Sequence, residues 1–209
     1  MTHETGGVPD RPGGDAEGAL ASAARHLRAT PYPVRGVSTR DRQTLEGRQA
    51  RDLLAWARES GRLIESASYV ARACRGGEEH RVWPAPDGRR VEKATYPGCF
   101  GFTVLTSLAA GGLPDLVKGL PLEYLERLLL QNEIFGDEIE LQGVAVEDGK
   151  AVILTSQPAL VGHPPTFSDI TAFLSRLWFR PLPWLHLGNP GALAFYVGTL
   201  CGQSPDPVV

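Results

Sequence analysis

The chain of 209 residues is poor in cysteine. Cys74, Cys99 and Cys201 are an odd set of three with no CxxC spacing. That pattern disfavours a disulfide framework and a cysteine zinc site, and it suits a reducing, cytoplasmic setting. An excess of one charge is also missing, since 21 Lys+Arg face 24 Asp+Glu for a net charge of −3. No global field is there to hold nucleic acid or an anionic membrane, so neither is an expected partner. The opening MTHETGGVPDRPGG has no apolar core and does not read as a secretory signal. Two runs without charged residues, 94–114 and 181–205, are each broken by glycines and prolines. A spanning helix needs ~20 mostly apolar residues, so neither run is expected to cross a membrane. The five histidines lack ligand-like spacing, and no metal site is expected from them.

Glycine and proline are plentiful, with 24 and 17 residues, so much of the chain must be loop or turn. Residues 1–40 read as a loosely ordered tail with one short helix at 19–29, stopped by Thr30-Pro31. From Asp41 the spacing turns helical, with Leu45, Leu53, Leu54, Trp56 and Ala57 near one face until Ser60-Gly61. Three strands are expected next, at 68–74, 79–83 and 89–96. They are separated by the Gly76-Gly77 turn and by Pro86-Asp87-Gly88, a strong hairpin signal. The connector at 98–112 has no clear period. Pro121 opens a helix carrying Leu122, Leu125, Leu128, Leu129 and Phe135, closed by Gly136. Strands at 139–146 and 150–156 follow, joined by Asp148-Gly149; then come a polar hinge at 157–165 and a helix at 166–178. Residues 181–209 form a Pro/Gly-rich end with one apolar patch at 192–200.

These elements predict an α+β fold: a five-stranded antiparallel sheet with one crossing helix. The order β-β-β-helix-β-β matches the N-terminal lobe of protein kinases. In that plan a glycine turn covers phosphates, a lysine on the third strand holds them, and a helix carboxylate orients the lysine. Lys93 stands on the third strand, with Val91 on its face and Glu92 on the other. A half-buried lysine needs a counter-charge. Glu126 is the first choice on the following helix, Glu133 the alternative and Glu123 a weaker third. Gly76 and Gly77 would form the phosphate turn, although Glu78 and Glu79 oppose an anion there.

The run 78–97 (EEHRVWPAPDGRRVEKATYP), the run 124–136 (YLERLLLQNEIFG) and Thr155-Ser156-Gln157-Pro158 together resemble a family of small protein-kinase-like domains. Members occur in polyvalent proteins of phages and mobile elements and as stand-alone bacterial proteins. The resemblance covers about residues 60–180 and implies a kinase-like domain over 41–180. Within it the N-lobe is at 62–157, the hinge at 157–165 and the start of a C-lobe at 166–180. It also implies ATP with magnesium as ligand, Lys93 as the phosphate lysine, and Ser156 and Gln157 on the adenine side. The chain departs from that pattern in its lower lobe. After Asp169 the only acid is Asp206, and in Trp184-Leu185-His186-Leu187-Gly188-Asn189 a tryptophan stands where a catalytic aspartate would be. A truncated, degenerate kinase-like domain that at most binds nucleotide is therefore expected. The alternative is a non-catalytic interaction module, with the apolar patch at 192–200 and exposed tryptophans as its partner surface, or a gene fragment that binds no nucleotide.

Overall fold

A computed structural model describes residues 18–31, 39–75, 77–105, 115–160, 162–163, 165–181 and 195–196. The chain runs α1 (Ala19–Ala29), α2 (Thr39–Glu59), β1 (Leu63–Ile64), α3 (Ala67–Val70), β2 (Cys74–Arg75), β3 (His80–Pro84), β4 (Arg90–Thr95) and β5 (Phe102–Leu105). It continues with β6 (Asp115–Lys118), α4 (Pro121–Phe135), β7 (Glu140–Glu147), β8 (Lys150–Pro158), α5 (Phe167–Arg176), β9 (Arg180–Pro181) and β10 (Phe195–Tyr196). The fold is α+β.

The main sheet has six strands in the order β1-β7-β8-β4-β3-β2. All neighbours are antiparallel except β1 and β7, which run parallel. The expected five-strand sheet thus gains a parallel edge strand. Gly143 makes room for it: a Cβ there would lie 2.4 Å from the Arg62 carbonyl oxygen and 2.6 Å from the Ile64 side chain. Asp148 and Gly149 have φ of 50° and 73°, the positive values that a two-residue turn needs to match strand twist. The expected strand at 68–74 is corrected. Its first half is the single helical turn α3, in which the Ser68 hydroxyl donates back to the Glu65 carbonyl, and only Cys74–Arg75 pair as a strand. The short alternation of Tyr69, Ala71 and Ala73 imitated a strand, but Tyr69 is buried as a helical residue beneath the sheet.

Pleating divides the side chains between two cores. On one face Leu141, Val144, Ala151 and Ile153 meet α1, α2 and α4. On the other, Ala94, Ala145, Val152 and Leu154 meet Tyr69 and Trp83, whose rings stack 5.8 Å apart. Helix α1 belongs to the first core and not to a loose tail: Leu20, Ala23, Ala24 and Leu27, spaced i, i+3, i+4, i+7, are buried among α2, α4 and β7. Helix α4 is fixed at its start from two sides. Glu123 accepts the Leu120 N–H at 2.8 Å, and the buried Gln49 of α2 accepts the Leu122 N–H at 3.0 Å. Both satisfy orphan donors of the first turn. Gly136, at φ 69°, closes its end as expected.

The connector without clear period contains β5, which pairs with β6 as a separate two-stranded sheet. Helix α5 follows the expected position, with Thr166 capping the Asp169 N–H at 3.2 Å. Residues 1–17 of the expected tail, Gly76, and most of the segment 181–209 with the expected apolar patch lie outside the described residues.

Candidate functional site

Strand β4 presents Val91, Lys93 and Thr95 to the α4 side and Glu92 and Ala94 to the opposite side. Lys93 lies in register between Val82 and Thr155. Its ammonium donates to Gln157 Oε1 at 2.8 Å, a diagonal neighbour on the same face of β8. Among the described residues no carboxylate oxygen lies within 4.0 Å of the ammonium. Burial lowers its pKa, and the charge of Asp137 opposes that shift from farther away.

Beneath Lys93 is a cavity of about 260 Å³, walled by β3, β4 and β8 on the sheet side and by α4 on the other. The sheet contributes His80, Lys93, Thr155 and Gln157, and α4 contributes Tyr124, Arg127, Leu128 and Gln131. Glu79 and Ile139 complete the lining. His80 Nε2 and the Tyr124 hydroxyl share a hydrogen bond of 2.8 Å. Burial, reinforced by the nearby positive charges of Lys93 and Arg127 against that of Glu79, pushes the His80 pKa down to about 4. The ring is therefore neutral at pH 7. Burial likewise raises the Tyr124 phenol, which stays protonated. Arg127 donates to Glu79 at 2.8 Å and lies over the Tyr124 ring at 5.2 Å.

The acid expected on Lys93 is elsewhere. Glu126 accepts from Arg28 of α1 at 2.8 Å on the outer surface and borders a different hollow beside Phe102 and Leu130. Glu133 is exposed, and Glu123 is held by Arg42 at the start of α4. The Lys93–Glu126 pairing is thus corrected to Lys93–Gln157. The reason is the rotational phase of α4. Its buried line is Pro121, Tyr124, Leu125 and Leu128, which turns Arg127 and Gln131 toward the cavity and Glu126 toward α1. Neighbouring residues differ by ~100° around a helix, so an error of one residue exchanges an acid for a base.

Of the other expected site residues, Ser156 points to the far face. Its hydroxyl accepts from Arg90 at 3.1 Å and Gln142 at 2.8 Å, so it is placed away from the cavity. Gln157 lines the cavity, but it and Pro158 are still paired with β4, so the hinge begins inside a strand. Gly77 borders open space, and Gly76 lies outside the described residues. Two arginines of the β3–β4 hairpin are engaged. Arg81 grips Glu147 through two hydrogen bonds of 2.6 and 2.9 Å, and Arg90 meets Glu140 at 3.4 Å. Cys99 and Cys74 are free thiols, and His80 is committed to Tyr124 rather than to Cys99. Among the described residues no three His, Cys, Asp or Glu side chains are grouped to hold a metal ion. No helix among them is long and apolar enough to cross a membrane.

Sequence reading missed Glu79, Tyr124, Arg127 and Gln131 as cavity residues. Tyr124 offered the one usable signal, a hydroxyl set within an otherwise aliphatic stripe. The set supplies an ammonium with no acid within 4.0 Å among the described residues, a guanidinium paired with the Glu79 carboxylate, two side-chain amides and a hydroxyl. Such donors suit a small oxyanion, because hydrogen bonds to charged acceptors are the strong ones. No protein-family model, curated protein or solved structure matches this chain.

Proposed function

We propose that the chain is a kinase-like domain that binds the phosphate groups of a nucleotide, ATP or ADP, in the cavity beneath Lys93. The observation carrying this reading is a half-buried ammonium held by an amide, with no carboxylate within 4.0 Å among the described residues, lining a hollow between the sheet and α4. The antiparallel strands β2, β3 and β4, the helix α4 and the hairpin β7–β8 support it through their order. At about 260 Å³ the cavity is smaller than the ~300–1,000 Å³ of sites that enclose whole small molecules. It has room for phosphates, with the nucleoside lying outside it. A transfer step would need a base and metal-holding acids. Among the described residues no His, Cys, Asp or Glu side chains group to hold magnesium, and the proposal is one of binding.

A thermal-shift titration with ATP and ADP, with and without magnesium, tests this reading. A ligand that binds only the folded state adds ~2.7 kcal/mol at a hundredfold excess over Kd. Wild type should gain that stability and Lys93→Met should not; an equal gain in both would remove the proposal.

A second reading, a protein-interaction module, is favoured by α5. This helix buries none of its residues, while Phe167, Trp178 and Leu160 are 60%, 84% and 84% exposed. Phe135 of α4 stacks on Phe173 of this helix at 6.4 Å and on Phe179 beyond its end at 6.0 Å. An exposed apolar surface of this kind suits a partner. Light scattering and binding of a hydrophobic dye test it; a monomer that binds no dye argues against it.

A further inference from the structure

We infer that Glu79 is a built-in competitor for the anion of the Lys93 cavity, holding Arg127 until a phosphate group displaces it. The inference rests on the phosphate-binding reading above and adds its regulation. Both cations, Lys93 and Arg127, line one cavity, but among the described residues a carboxylate lies within 4.0 Å of Arg127 and not of Lys93, with Arg127 Nη2 2.8 Å from Glu79 Oε2. The pair is seated on the backbone of Gly101. A Cβ at that position would lie 2.6 Å from Arg127 Nη2 and 2.8 Å from Glu79 Oε1, and the residue's φ is +73°. Glycine thus lets the guanidinium and carboxylate sit flat against the chain at the cavity wall. Arg127 also lies over the Tyr124 ring, which holds it in place when Glu79 leaves.

A carboxylate and a phosphate oxyanion make the same request of a guanidinium: two acceptor oxygens in one plane. With Glu79 in place, an incoming anion meets the Lys93 ammonium and the Glu79 carboxylate together, and like charges brought together in a partly dry site repel. With Glu79 swung outward, which its 24% side-chain exposure permits, the anion is clamped between Lys93 of β4 and Arg127 of α4. Glu79 therefore sets the affinity and excludes weakly charged ligands that do not displace it.

Calorimetric titration of the full chain with tripolyphosphate at pH 7.5 tests this. Glu79→Gln should bind at least about tenfold tighter than wild type, a difference of ~1.4 kcal/mol. Glu79→Asp, which keeps the charge, should stay within about twofold to threefold of wild type. Arg127→Met should lose most of the binding, and it carries the test if Glu79→Gln does not fold. Unchanged or weaker binding by Glu79→Gln beside a wild type that binds overturns the competitor role and leaves the phosphate reading standing. Unchanged binding by Arg127→Met overturns the clamp. Absence of binding by wild type and all variants removes the phosphate reading and this inference with it.

Discussion

Lys93 and Gln157 face each other diagonally across β4 and β8, ammonium to amide oxygen at 2.8 Å. A neutral acceptor steadies the lysine without cancelling its charge. An acid in the same position would make a closed ion pair and leave nothing for a ligand. Gln157→Glu should therefore abolish nucleotide-dependent stabilisation while leaving or raising the thermal midpoint of the free protein. Glu126→Gln should leave the stabilisation intact, because Glu126 pairs with the exposed Arg28 and does not line the Lys93 cavity. Thermal-shift titrations of the two variants side by side check both outcomes.

His80 makes stability depend on pH. Its folded pKa of about 4 lies below the ordinary value of 6.5, so the unfolded state binds the extra proton first. The contribution is fully present above pH 6.5 and is lost as pH falls toward 4. Discounted for the part of the ring that meets solvent, it is on the order of 1–2 kcal/mol. Urea unfolding at pH 7.5, 5.5 and 4.5 should show this loss in wild type and a flatter profile in His80→Gln, which retains a hydrogen-bonding partner for Tyr124.

On the opposite face Glu147 is shared by Arg81 and by the Tyr69 hydroxyl at 3.1 Å. The Tyr69 phenol is pushed up to about 12 by burial and by this carboxylate, so it remains a donor. Arg81 lies over the rings of Tyr69 and Tyr96 at 5.6 and 5.8 Å, and its side chain is 14% exposed. Glu147→Ala strands that charge and should cost about 2–3 kcal/mol, toward the lower end for a pair that still meets water. Arg81 holds the Glu147 carboxyl below its ordinary pKa, so the pair stabilises at neutral pH and fades as acid titrates the carboxyl. Denaturant titrations of wild type and Glu147→Ala at neutral and acid pH should converge as pH drops.

Helix α1 is structural. Leu27 is 0% exposed within the main core, and Leu27→Ala should cost ~2–5 kcal/mol, the range for emptying a buried leucine site. A chain lacking residues 1–30 should lose its cooperative unfolding transition by calorimetry. Normal unfolding of that truncated chain would make α1 a peripheral addition.

The parts legible in the sequence are those specified locally. Asp148-Gly149 announced its hairpin because both residues take positive φ, and Pro121 and Gly136 marked the two ends of α4. Lys93 was placed on the correct face because strand alternation is a two-way choice. What failed depended on tertiary context. The phase of α4 is set by its buried line, with Tyr124, Leu125 and Leu128 in the core shared with α1 and α2, and a wide apolar stripe does not reveal which edge meets the sheet. Cys74–Arg75 and Leu63–Ile64 are too short to show a period, and β1 pairs in parallel with a strand about eighty residues later in the chain. Polar closure by Gln49, a buried amide in the middle of α2, left no sequence signature at all.

The chain has only three lysines, Lys93, Lys118 and Lys150, so the site can be watched directly. In a sample with isotope-labelled lysine side chains, one of three ammonium or ε-methylene signals, identified by its absence in Lys93→Met, should move as ADP or tripolyphosphate is added and saturate with a single Kd. The other two should stay in place. A Lys93 signal that does not move while millimolar nucleotide is added would contradict the account at its centre.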